Sequence, residues 1–217
     1  MRILWGRLSW RVVRWPLLIV GLFGVLVLIR IPSVMDRQAT MKMVAQVHAS
    51  RLSSDDIAGT HLPPAPDVEK NDAVLAGIDA NHNGIRDDVE LTLFAQYPVS
   101  SSSLLPMRAA ALQYAKALQR YLTVVTNGDT LTAVIQEDER GSFCIRDTIP
   151  KPKQTDNDAL WDNYFSAGTQ QMQHIEDLVL NTPERKQAYQ DAFKKYMTSY
   201  GSIGGAHCDL VSTSTSV

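Results

Sequence analysis

Apolar residues are arranged in two unlike ways along this chain. No charge occurs between Trp15 and Ile29, and Leu17 to Ile29 is apolar throughout apart from Gly21 and Gly24. Farther on, apolar residues recur at three, four and seven instead of running on, which is the period of one helix face. Leu105, Leu112, Ala115, Leu118, Leu122 and Val125 predict an amphipathic helix that ends at Asn127-Gly128. Asp129 is placed to cap the next helix, carrying Leu131, Val134 and Ile135. Trp161, Tyr164, Phe165, Gly168, Met172, Ile175 and Val179 form the longest stripe. Thr182-Pro183 reads as N-cap and N1 of a last helix, with Ala188, Tyr189, Ala192, Phe193, Tyr196 and Tyr200 on one face. A short strand stays open around Ser142–Ile149, and there is no sustained alternation elsewhere. The expected class is all-α: an N-terminal transmembrane helix followed by a small irregular bundle of four to six helices.

The first apolar run has three competing readings. Arg2, Arg7, Arg11 and Arg14 precede it, and Arg30 and Pro32 follow it. A spanning helix needs about 20 residues. Val12, Val13 and Ile31 extend the run, and Arg14 and Arg30 can snorkel toward headgroups. A cleaved signal peptide wants a small-x-small site, which is missing after Ile29. A buried core helix does not suit four arginines in its lead-in. The favoured reading is an uncleaved single-pass signal-anchor. The heavier positive flank stays in the cytoplasm, so the body faces the periplasm. Leu62-Pro63-Pro64-Ala65-Pro66 reads as an extended linker. The expected organisation is a basic head and anchor over 1–37 and a juxtamembrane helix and linker over 38–70. A helical domain over 71–210 and a frayed tail over 211–217 complete it.

Charge changes meaning against that division. The whole chain carries −2, from 21 basic and 23 acidic residues. Six of the basic residues and one acidic residue, Asp36, lie before residue 38. That leaves 15 against 22, a body near −7. Such a body does not attract nucleic acid by general electrostatics. Two cysteines, Cys144 and Cys208, match no zinc or redox motif. In an oxidising compartment they are expected to pair as a disulfide, contributing roughly 2–4 kcal/mol. The chain has no Asn-x-Ser/Thr sequon.

The chemically informative stretch is Asp79-Ala80-Asn81-His82-Asn83-Gly84-Ile85-Arg86-Asp87-Asp88-Val89-Glu90. A hard cation such as Ca²⁺ takes about six to eight oxygens. Asp79, Asn81 and Asn83 stand at positions 1, 3 and 5, and Gly84 permits the bend at 6. Ile85 offers its carbonyl at 7, Asp87 reaches in from 9, and Glu90 closes the shell from 12. The stretch resembles EF-hand loops, and also the loops of thrombospondin type 3 repeats, which favour an apolar residue directly after the glycine. EF-hands place an apolar residue at position 8, where this chain has Arg86. The tandem, cysteine-containing arrangement of thrombospondin repeats is missing. The resemblance spans 12 of 217 residues and implies a calcium site, not a fold. Two Asn in place of Asp, with Arg86 beside them, imply a modest affinity, roughly 10⁻⁴–10⁻³ M.

Other candidates have plainer readings. His207-Cys208-Asp209 invites a nucleophile, but adjacent residues seldom meet, so the disulfide is preferred. His82 is expected in solvent and His174 at the surface. Glu137-Asp138-Glu139 reads as a solvated acidic face. The aromatic stripes read as core. No nucleophile elbow, phosphate loop, dinucleotide fingerprint or metalloprotease motif is present. No catalytic residue is assigned. The expected function is a non-enzymatic calcium-binding protein of the inner membrane with a structural role and a protein partner. The alternative is a calcium-stabilised envelope hydrolase.

Overall fold

The computed structural model describes residues 10–155, 157–202 and 204–209, without the side chains of 10–14, 26–29 and 32. Among the described residues there are helices and no strand. They are α1 (Trp10–Ala49), α2 (Ser54–Ala58), α3 (Val68–Asp72), α4 (Asp87–Gln96), α5 (Leu105–Thr123), α6 (Gly128–Asp147), α7 (Asp158–Val179) and α8 (Pro183–Tyr196), with a 3-10 turn at Ser102–Leu104. The all-α expectation therefore holds. The open question of a strand at 142–149 resolves as the end of α6 and its cap.

Contacts divide the chain into two compact units, one ending at Lys42 and the other starting at Met43. In the first, the described apolar side chains of α1 are exposed, Leu17, Ile19, Val20 and Phe23 among them. Among the described residues no helix is long and apolar enough to cross a membrane. Residues 26–29, inside the apolar run, have side chains outside those described.

The second unit begins earlier than the Pro-rich stretch suggests. Val47, Leu52 and Ile57 are buried in the same core as the long helices. Within the 38–70 segment Val47, Leu52, Ile57 and Pro63 are buried, while most other positions are exposed and Leu62–Asp67 lies outside any helix. The centre is α5, which packs on α2, α4, α6, α7 and α8. Leu112, Ala115 and Leu118 are buried, as the stripe predicts. Small residues allow the closest approach: a Cβ on Gly141 of α6 would lie 2.9 Å from the Tyr114 Cα of α5.

Helix ends follow side-chain chemistry. Thr182 caps α8 and Pro183 starts it. Asn127, not Asp129, caps α6, because its side chain accepts from Thr130 N while Thr130 bonds back. Cys144 and Cys208 are bonded, with a sequence separation of 64, and tie the C-terminal segment to α6. The frayed tail expected over 211–217 lies outside the described residues.

Two readings of the pattern fail. Glu137 is 4% exposed and receives His48 at 2.9 Å, Arg51 at 2.7 Å and Arg140 at 2.6 Å. Asp138 accepts the Tyr121 hydroxyl at 2.9 Å. The acidic run is therefore a set of partners for tertiary cations and phenols. The aromatic start of α7 is also not core. Trp161, Tyr164 and Phe165 contact one another, and Phe165 is exposed, whereas Gly168, Ile175 and Val179 are buried. On α8 the stripe does pack, with Tyr189 and Phe193 against Tyr121 of α5.

Candidate metal centre

The Asp79–Glu90 stretch is a tight turn leading into α4. Gly84 has φ of 89°, a conformation that suits glycine, and His82 has φ of 56°. Side-chain oxygens at alternate positions turn the backbone inward. Asp79 accepts from Asn83 N at 3.2 Å and Gly84 N at 2.9 Å. Asn81 Oδ1 accepts from Asn83 N at 3.3 Å, and Asn83 Oδ1 from Ile85 N at 2.8 Å. Asp87 Oδ1 accepts from Ala80 N at 3.0 Å, closing the turn onto the first residue of α4. Asp87, Asp88 and Glu90 lie in the first turn of α4, where the helix dipole favours negative charge.

Glu90 meets the other side of the turn. Its Oε2 accepts from Asn81 Nδ2 at 3.0 Å and its Oε1 from Asn83 Nδ2 at 2.9 Å. Positions 3, 5 and 12 therefore converge, and Asp79 and Asp87 flank them. Burial pushes the Glu90 carboxyl up to about 7, opposed by the two amides and reinforced by Asp56 and Asp87. Asp87 is likewise raised by burial, with Asp79 and Asp88 adding to the rise. Asp87 is 1% exposed, and its Oδ2 has no hydrogen-bond partner. An anionic oxygen buried without a donor is costly, and a cation would satisfy it.

Among the described residues, no group of three or more His, Cys, Asp or Glu side chains is gathered closely enough to hold a metal. The donors the loop offers are instead mixed: the carboxylates Asp79, Asp87 and Glu90, the amides Asn81 and Asn83, and backbone at Ile85. Such a set fits a hard, oxygen-seeking cation. Both Asn amides donate their nitrogens to Glu90 while their oxygens accept backbone N–H groups of the turn, so a cation would have to displace these bonds to be ligated by the amide oxygens. Lys116 of α5 stands close by, its Cε 3.2 Å from where a Cβ on Gly84 would lie. Burial lowers its pKa, Arg120 adds to this, and Asp56, Asp209 and Asp79 oppose it.

Each flagged residue has a definite place. Ile85 is fully buried, anchoring the loop in the core. Exposed His82 points away from the core, and His174 bonds to Gln96 at the surface at 2.8 Å. His207 pairs with Asp147 at 2.7 Å, while Cys208 is in the disulfide.

Arg86 was legible only as a departure from the EF-hand pattern. It is fully buried. Its guanidinium donates to the carbonyls of Leu178 at 2.8 Å and Val179 at 3.0 Å, at the end of α7. It also donates to Asn181 Oδ1 and binds Asp88. Position 8 thus anchors the loop through a charged helix-end cap in place of an apolar contact. Arg185 of α8, also fully buried, mirrors it. It donates to the carbonyls of Asn71, Val74 and Leu75 and to Asp72 and the same Asn181 Oδ1. The two arginines fasten both sides of the loop to the α7–α8 junction. An isolated Arg in a sequence carries no mark of this; Thr182-Pro183 nearby was the sole local signal. No family model, curated protein or solved structure matches this chain.

Proposed function

We propose that this is a membrane-anchored, periplasm-facing protein whose helical body is held in shape by a calcium ion in the Asp79–Glu90 loop. The role is structural, in presenting that body to a protein partner outside the membrane. One observation carries the calcium reading. Glu90 closes on Asn81 and Asn83 across a turn in which the buried Asp87 Oδ2 has no partner. Calcium there would bridge the turn to α4 and so brace what Arg86 fastens to α7. The anchor reading rests on the uncharged run Trp15–Ile29 with its arginine lead-in, and on the exposure of its described apolar side chains. Calorimetric titration of the full chain in nanodiscs with Ca²⁺ tests the site. Heat that saturates at one ion per chain, lost in Glu90→Gln, supports it.

One observation favours the hydrolase as a second reading. His207 and Asp147 pair at the edge of a concave pocket. Among the described residues, however, no Ser, Thr or Cys hydrogen-bonds to His207, so a nucleophile–base pair is missing. Ester-hydrolysis assays with His207→Ala as control decide this reading.

A further inference from the structure

The pocket at His207 has a use that needs neither calcium nor a nucleophile. It is a cavity of about 860 Å³, within the range of ligand-binding clefts, roughly 300–1,000 Å³. Its walls come from α2, the stretch before α5, α5 itself, the end of α6 and residues 205–209. Ile57, Val99, Leu105 and Ala109 give it apolar sides, and the Cys144–Cys208 bond lies against it. Val99 and Leu105 are 54% and 43% exposed, so its border too is apolar.

One charge in that wall is unmatched. Arg108 is 2% exposed. It donates through Nε to Ile57 O and through Nη1 to Tyr97 O, both at 2.9 Å, and lies 5.3 Å from the Phe94 ring. No carboxylate among the described residues is within ion-pair distance of it, and Nη2 has no hydrogen-bond partner there. Arg86 and Arg185, buried as deeply, each hold an aspartate. The acids on the pocket are already matched: Asp209 by Arg51 and Arg140, and Asp147 by His207. Burial depresses the Arg108 pKa with no acid opposing it. A buried guanidinium without a counter-charge is costly, and an anionic ligand would relieve that cost.

We infer that this cavity binds a medium-chain fatty acid, its chain along Ile57, Val99, Leu105 and Ala109 and its carboxylate on the free Nη2 of Arg108. The inference is independent of the calcium loop.

The test uses the full chain in phospholipid nanodiscs, titrated with decanoate, decanol and decyltrimethylammonium. Ala109→Trp, which fills the cavity from the α5 wall, gives the background for partition into the bilayer. The expected result is saturable 1:1 decanoate binding above that background, with decanol at least about tenfold weaker and no saturable binding of the ammonium. Failure of decanoate to saturate overturns the inference, as does decanoate binding unchanged in Ala109→Trp with helix content intact. Comparable binding of decanol or the ammonium overturns the role of Arg108. Should Ala109→Trp not fold, the three-ligand comparison on the wild-type chain still decides between these outcomes.

Discussion

Arg86→Met removes the guanidinium that joins the loop to the end of α7 and keeps most of its apolar stem. The carbonyls of Leu178 and Val179 lose their donor, and Asn181 loses one of two. Each orphaned buried acceptor costs roughly 1–3 kcal/mol. Asp88 is 31% exposed and rehydrates, so its lost ion pair adds little. Two orphaned carbonyls and a weakened Asn181 sum to about 4 kcal/mol, matching the roughly 3–5 kcal/mol seen when one partner of a buried charged cluster is removed. For a domain of this length that is a fall in Tm of about 8–16 °C. Urea unfolding followed by circular dichroism, with the disulfide intact, measures it at unchanged m-value. Lys70→Met, at an exposed position, is the control and should shift stability by less than about 0.5 kcal/mol. A loss under about 1 kcal/mol in Arg86→Met would refute the claim that this arginine anchors the loop.

Three further predictions follow from the body. Replacing Cys144 and Cys208 by serine opens a loop of 64 residues and should cost about 4 kcal/mol by chain entropy, read as a lowered urea midpoint. Glu137→Gln removes the charge facing His48 and leaves Arg51 and Arg140 with Asp209 alone, and should cost about 1–2 kcal/mol, below the fully buried range because both arginines keep an acid partner; thermal unfolding checks it. Burial raises the Asp138 carboxyl to about 7; Glu176 and Glu139 reinforce the rise, and the Tyr121 hydroxyl opposes it. The unfolded pKa is near 3.9, so the fold binds the extra proton between the two values. The Asp138 contribution is then full below about pH 4 and lost as pH rises through about 7. Asp138→Asn should flatten that slope and be the more stable protein at pH 8. A wild-type-like slope in the variant would remove Asp138 as its source.

Helical spacing revealed α6 and α7 because each buries one face against α5, as Ile175 and Val179 do, whereas α5 is buried without a break from Ala110 to Tyr121 and its stripe marks only the apolar part of that surface. Caps were legible where the capping residue acts locally, as at Thr182-Pro183. At Asn127-Gly128 the same signal read as a stop, but α5 ends earlier, at Thr123, and Asn127 caps the next helix. The loop residues were legible because a tight turn of this kind places side-chain oxygens at alternate positions, where Asp79, Asn81 and Asn83 accept its backbone N–H groups. What could not be read were the charged groups that act over long separations. Glu137 binds Arg51, 86 residues away, and Arg86 binds Leu178, 92 away. A charged residue awaiting a distant partner has the same local sequence as one in solvent. Arg108, with no acid partner, is less legible still, since its setting is made by Ile57, Tyr97 and Phe94.

Calcium titration of the full chain in nanodiscs, before and after chelation, decides whether the Asp79–Glu90 loop holds an ion. One ion per chain is expected to bind, with Kd of roughly 10⁻⁴–10⁻³ M. At 10 mM calcium, bound ion should stabilise the body by about 2 kcal/mol, so that its Tm rises. Glu90→Gln should lose both the heat and the shift. A wild-type chain that gives no calcium heat, and whose Tm at 10 mM calcium equals that in chelator, contradicts the calcium site.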